Sequence, residues 1–449
     1  MTTSRIATTY RASERGNIGY ASLISVFFIV YTASHYILLI VNESYQPTLL
    51  DEIASVALAP FALYYVISKK EYFISLVYLV YIAALLLGAA IFEESGVPQP
   101  VSGIVAAALD LKLPIFIFAF ACFFSSIPNP DRIFRVLFIT FIVIGLINVP
   151  FVILNYITGA DLFGGNLGQK GDFILPTGLM RHYVEVAWIS CLASLSALAM
   201  FAQKRNVLFL ALALFFALIL LSTVSIKETA AYSVGVFIIL RGQNASKLIT
   251  VFAFFAGIFF LAVIVSETSL GHAMLNHAGM FVGKDAIETV RWGMTEASLQ
   301  IAGEYFPLGS GGGTFGSAPS YQNNYSYLYY LYGISTLDGG GPDDAAFLQD
   351  VFWAKVLAEA GWFGFIAYVG FLGILARRVM KSRAVVDRNT DVILRFCLAC
   401  AVLLGMISLA SSPFTNQLLV FVAGICFGFG CSVAATVRKG VVAPRHIRV

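Results

Sequence analysis

Charge is scarce in this chain. Asp, Glu, Lys and Arg make up 12% of its 449 residues, about half the share usual in soluble proteins. So few ions cannot wet a surface of that size, and a soluble globular domain is excluded. Cysteine is rare too, six residues in all, each inside an apolar run, which excludes a disulfide-stapled secreted scaffold. Cys397 and Cys400 form a CxxC on a candidate spanning helix with no histidine beside it, and packing is the favoured reading over metal or redox chemistry. No H-E-x-x-H or D-x-D cluster lies between the apolar runs, and no Lys-Ser or Lys-Thr follows the glycine cluster as a phosphate loop requires. Neither a metal nor a nucleotide cofactor is therefore expected, and His272 and His277 read as solvated loop residues.

What the chain has is apolar length. A spanning helix needs roughly 20 apolar residues, and such runs recur at 18–41, 53–68, 72–92, 105–127, 134–157, 183–202, 206–224, 229–240, 247–266, 352–376, 392–411 and 415–436. The expected fold is an all-α polytopic membrane protein of about 12 transmembrane helices, residues 1–449 forming a single integral membrane domain. The first run lacks a small-residue cleavage site and reads as a retained anchor. The second and eighth are short and must tilt or span less than the full bilayer.

The charges between runs alternate in sign. Placing the N-terminus inside puts 21 of the 28 basic residues on the inner side, among them Lys69, Lys70, Lys204, Arg205, Arg378 and Arg438, as the positive-inside rule requires. The outer side keeps seven bases: Lys112, Lys170, Arg181, Lys227, Lys284, Arg291 and Lys355. Both termini inside requires an even helix count, in keeping with twelve. The basic inner face is a topology signal and does not point to nucleic acid.

Two outer segments break the pattern. Residues 158–181 are glycine-rich and end in PTGLMRH. Residues 267–349 form a large loop between spans 9 and 10, too long to lack helices of its own. Ile287, Val290, Met294, Ala297 and Ile301 recur there at three-and-four spacing, which predicts an amphipathic helix lying on the membrane or lidding the bundle. YFPLGSGGGTFGS follows, either a bare turn or a nest of N–H groups able to hold an anion. Six tyrosines lie between Tyr321 and Tyr332. They suit an interface belt, or stacking on sugar rings, for which Tyr325 and Tyr329 are the candidates.

Arg181, Lys227 and Arg291 lie at outer helix ends or in the outer loop, where a cation near lipid is costly unless paired with an anion. Glu185, Glu228 and Glu288 are nearby structural partners. Three cations around one outer cavity would equally suit a pyrophosphate. Asp350 could accept a proton from an attacking hydroxyl, or could simply favour a helix N-terminus. His182 and Glu185 are the next candidates for that base.

The order of these features resembles the bacterial O-antigen polymerase and O-antigen ligase superfamily of Wzy and WaaL types. The motifs behind this are ETVRWGM, PLGSGGGTFG and FLQDVFWAKVLAEAGWFG, with weaker echoes in PTGLMRHYVEVA and LLSTVSIKETAA. There are departures. Ile226 stands where the last of these usually carries arginine, with Lys227 next to it, and Tyr183 and Val184 replace a Pro-Asn pair. Nine residues before Glu359, where ligases usually carry histidine, stands Asp350, and polymerases more often have an acid there.

The resemblance implies a membrane glycosyltransferase that polymerises polyprenyl-pyrophosphate-linked oligosaccharide repeat units into O-antigen or exopolysaccharide, independent of metal and nucleotide. Arg181, Lys227 and Arg291 would hold the pyrophosphate, with Asp350 and Arg291 catalytic. It further implies a bacterial inner membrane location, a site facing the periplasm, and a chain-length regulator and a flippase as candidate partners beside the lipid bilayer. The alternatives are an O-antigen ligase and a 12-span secondary transporter. Against the transporter, helix centres read as nearly free of ionisable groups and the two halves show no repeat.

Overall fold

A computed structural model of the chain describes residues 26–27, 30, 48–91, 101–127, 130–160, 167–170, 173–180, 182–241, 289–322, 324–345, 347–383 and 386–438. Among these, the only strand pairing is a two-residue antiparallel ladder, Gln169–Lys170 with Phe173–Ile174. All other regular structure is helical. The helices are α1 (Thr48–Lys69), α2 (Tyr72–Ile91), α3 (Val101–Asp110), α4 (Lys112–Ser125), α5 (Pro130–Thr158), α6 (Tyr183–Lys204), α7 (Val207–Ser222) and α8 (Ile226–Leu240), then α9 (Val290–Glu304), α10 (Tyr327–Leu331), α11 (Phe352–Ser382), α12 (Arg388–Ile407) and α13 (Gln417–Arg438). Eight helical stretches in the described residues are long and apolar enough to cross a membrane, α3 and α4 counting as one. The chain is an all-α, multi-pass membrane protein.

Ten of the twelve apolar runs fall on these helices, whereas runs 18–41 and 247–266 lie outside the described residues or nearly so. The boundaries moved where polar residues do the terminating. Asn206 ends the α6–α7 turn by accepting the Leu208 N–H at 3.0 Å, and Asp387 opens α12 by accepting from Asn389 and Thr390. The eighth run starts three residues early, at Ile226, which puts Lys227 in the first turn of α8. With 16 and 15 residues, α7 and α8 rise only about 24 Å at 1.5 Å per residue, short of a hydrocarbon core near 30 Å.

Small residues let the central helices approach closely, which is how apolar helices associate where lipid offers no hydrophobic contrast. On α13, a Cβ at Gly424 would meet Phe116 Cβ at 2.8 Å, and one at Gly428 would meet the Ile117 carbonyl at 2.7 Å, so this GxxxG pair seats α13 on α4. On α6, Ser194 Oγ donates to the Ala213 carbonyl at 2.7 Å and bonds Tyr232 Oη at 2.7 Å, joining three helices at one buried hydroxyl.

One end of the bundle collects basic residues. Buried Glu71 receives Arg378 and Arg438, each at 2.7 Å, and Asp391 receives Arg383 and Arg395. These arginines all belong to the set that the charge rule groups on one side.

Buried ions are nonetheless present, at helix ends and at the α3–α4 break. Lys112 pairs with Asp51 and Lys355 with Asp110, each at 2.7 Å and each partner about 4% exposed or less. Neither lysine sits in an aqueous outer loop. The sequence hid both pairs because each ion stands at a helix end or helix break and its partner lies on another helix. Pairing offsets much of the desolvation penalty that makes a lone buried ion prohibitive.

Candidate functional site

The end opposite the basic cluster carries residues 289–349, part of the segment that the charge rule predicts to be outer, and its first helix follows the predicted face. Val290, Met294, Ala297 and Ile301 of α9 are buried, and α9 packs along α11. It is therefore a lid on the bundle; Ile287 lies outside the described residues. Thr289 caps α9 by accepting the Trp292 N–H, which places Arg291 in the first turn.

From there Arg291 Nη2 reaches Asp350 Oδ2 at 2.5 Å, with both side chains about a third exposed. Phe347 supports the guanidinium, its ring centroid 5.1 Å from Arg291 Cζ. Asp350 closes the turn that begins at Phe347 and precedes Val351, the N-cap of α11. Its carboxylate, at the start of α11, is turned to Arg291.

Lys227 comes to the same place from α8. Its Nζ donates to the Ala410 carbonyl at 2.6 Å and to Ser411 Oγ at 2.5 Å, and stands 3.7 Å from Glu228 Oε1. Its charge lies within electrostatic reach of Asp350 and Arg291. The α12–α13 connection that holds it also holds Asp350's neighbour, since Ser412 Oγ donates to the Gln349 carbonyl. Beside these, Tyr183 at the start of α6 is within reach of Glu228, Arg291 and Asp350. Across the site, burial pushes the Tyr321 phenol up, a bond with Gln322 opposes this, and the Asp350 charge adds to it. Two cations, Lys227 and Arg291, two carboxylates, Asp350 and Glu228, and two phenols thus converge from five separate segments.

Beneath lies a second motif contact. Helix α11 is interrupted at Gly361, whose φ is +59°, so the carbonyls of the short helix before it lose their helical donors. The glycine turn supplies new ones. Ser310 N donates to the Ala358 carbonyl at 2.9 Å and Gly311 N to the Glu359 carbonyl at 3.0 Å, while Gly312 N reaches the Leu85 carbonyl of α2 at 3.0 Å. The wholly buried Glu359 carboxylate accepts from Phe315 N at 3.0 Å and Ser317 Oγ at 2.5 Å. A Cβ at Gly309 would stand 2.4 Å from the Ala358 carbonyl. With these N–H groups bonded to carbonyls and to the protein's own Glu359 carboxyl, this turn is a structural clasp.

No family model matches the chain, and no curated protein matches it. Among solved structures it is similar to a chain from work on the structural coordination of polymerization and crosslinking by a peptidoglycan synthase complex, with a TM-score of 0.44 and 16% identity over 82% of this chain and 97% of that one.

Of the residues singled out from sequence, the structure brings Arg291, Lys227 and Asp350 together. Arg181 lies outside the described residues. His182 is the N-cap of α6, its ring accepting the Val184 N–H at 3.3 Å, and Glu185 is half-buried in the first turn. The glycan-stacking expectation needs correcting at Tyr329. Its ring is 0% exposed, and its hydroxyl accepts from Gly316 N at 2.8 Å and bonds Ser320 Oγ at 2.5 Å. It is a core residue of the outer segment that no sugar can reach. Tyr325 is half-buried against it, rings 4.9 Å apart, with its hydroxyl donated to the Gly340 carbonyl. Sequence reasoning did not select Ser411, Ser412, Tyr183 or Tyr321 for the site. Serines near a helix end and single tyrosines at an interface carry no local signal.

Proposed function

We propose that this chain is a membrane glycosyltransferase that polymerises polyprenyl-pyrophosphate-linked oligosaccharide repeat units into O-antigen or exopolysaccharide on the outer face of a bacterial inner membrane. The observation that carries the reading is the convergence of Arg291, Lys227 and Asp350 at the end of the bundle opposite its basic face. Arginine presents paired donors suited to phosphate oxygens, and lysine adds a compact point charge. A sugar hydroxyl of one lipid-linked unit attacks the anomeric carbon of the glycan on a second carrier. The new glycosidic bond forms as the bond to the diphosphate breaks, and polyprenyl pyrophosphate leaves with the bonding pair.

In this reading the resting ion pair is a placeholder. An incoming diphosphate competes for Arg291, and as the guanidinium turns to phosphate, the Asp350 carboxylate is released to take the proton of the attacking hydroxyl. Arg291 and Lys227 then oppose the negative charge that grows on the leaving phosphate, where fixed charges act with little reorganisation. The clasp and the buried Lys355–Asp110 pair keep the short helix, and so Asp350, in place.

The test is the lipid-linked glycan profile of a deletion strain. Accumulation of single repeat units supports polymerisation. Long chains left on the carrier would instead indicate a ligase, and an unchanged profile would remove the glycosyltransferase reading.

A further inference from the structure

Glu228 entered as a sequence neighbour of Lys227, and its surroundings give it a larger part. It is 0% exposed, and a carboxylate at that depth is strongly unfavourable without compensation. One oxygen, Oε1, accepts the Trp188 indole N–H of α6 at 3.2 Å and stands 3.7 Å from Lys227 Nζ. The other, Oε2, has no hydrogen-bond partner among the described residues. The Lys227 side chain as a whole is a quarter exposed. A lysine ammonium on a flexible four-carbon stem has no direction of its own, and this one is given direction by Glu228, the Ala410 carbonyl and Ser411 Oγ.

We propose that Glu228 is a positioning residue, a buried counter-anion anchored by Trp188 that keeps Lys227 protonated and seated toward the diphosphate of a polyprenyl carrier. This rests on the diphosphate reading of the site. Among the described residues, the charged and titratable groups around Lys227 are Glu228 on its own helix, Asp350 before α11 and Arg291 on α9. Tyr183 and Cys191 of α6 adjoin Glu228, and the α12–α13 connection contributes a carbonyl and a hydroxyl. With Glu228 neutralised, the attraction of Asp350 and the repulsion of Arg291 oppose each other, so the nearest counter-charge is lost and the protonated form of Lys227 is less favoured.

Farnesyl pyrophosphate binding to the detergent-solubilised full-length protein, measured by calorimetry from pH 6 to 9.5, tests this without knowledge of the sugars. Glu228→Gln keeps the shape and the indole bond. It should bind about tenfold more weakly at alkaline pH, a change of about 1.4 kcal/mol, with the midpoint of the alkaline loss moved down by about one unit. Glu228→Asp, which keeps the charge, should retain the wild-type midpoint. Lys227→Met should weaken binding at every pH, and adding Glu228→Gln to it should change nothing further. A wild-type pH profile in Glu228→Gln beside a weakened Lys227→Met overturns the inference and leaves the site reading standing. Wild-type binding by Lys227→Met and Arg291→Lys alike overturns both. Should Glu228→Gln fail to fold, a shifted midpoint in Glu228→Asp would overturn the inference.

Discussion

Arg291 and Asp350, 59 residues apart in sequence, meet at 2.5 Å. One opens the lid helix α9 and the other precedes α11, so their contact closes the outer segment onto the bundle and neutralises two groups that the proposed reaction needs separately. Their two roles come apart under substitution.

Asp350→Asn keeps size and hydrogen bonding but cannot take a proton. Chain formation by the purified protein should fall by about 10² to 10⁴, the usual loss for a general base. Because Arg291 no longer has an anionic competitor, farnesyl pyrophosphate should bind at least as tightly as to wild type. Weakened binding in this variant would contradict the placeholder role of the pair.

Arg291→Lys replaces a planar, two-pronged donor with a point charge. We expect diphosphate affinity and polymer yield to drop at least tenfold while the protein stays folded by size-exclusion chromatography. Full activity with normal expression would remove Arg291 from the site.

Gly309→Ala tests the clasp. At φ +74° a side chain is strained, and its Cβ would press on the Ala358 carbonyl and Gly361 N. The cost should be about 1–3 kcal/mol for the backbone, with steric displacement in addition, seen as a lower melting temperature in detergent. An unchanged melting temperature would show that the turn is not clamped as described.

Lys355→Met leaves Asp110 buried without its partner, a change that costs about 3–5 kcal/mol where a buried pair is broken. Lys355→Met with Asp110→Asn should recover most of that loss. Recovery in the double variant, followed by thermal unfolding, distinguishes a paired charge from a packing defect.

The sequence showed the lipid-facing architecture well because apolar length and charge alternation are local properties. Its boundaries slipped where a single capping residue decides, as at Asp387. The site was legible only as separate residues. Arg291, Lys227 and Asp350 each carried a signal of charge near a helix end, but their convergence depends on packing among α8, α9, α11 and the α12–α13 connection, which no spacing reveals. Tyr329 misled because a buried tyrosine and an exposed one look alike in a tyrosine-rich stretch. The Asp110–Lys355 pair, 245 residues apart, went unseen for the same reason as the site: neither ion has its partner within reach of its own helix.

The interruption at Gly361 divides α11 into parts with different attachments. The span after it is bathed by lipid on Phe363 and Ile366, 55% and 63% exposed, and must answer to bilayer thickness by changing its tilt. The short helix before it is fastened to the outer segment and to α2 through the glycine turn, and to Asp110 through Lys355. Past the break, Phe363 N donates to the Pro307 carbonyl of the same turn at 3.3 Å. The turn therefore grips both parts of α11 and ties the tilt of the span to the segment that carries Arg291, so the Arg291–Asp350 contact should respond to bilayer thickness.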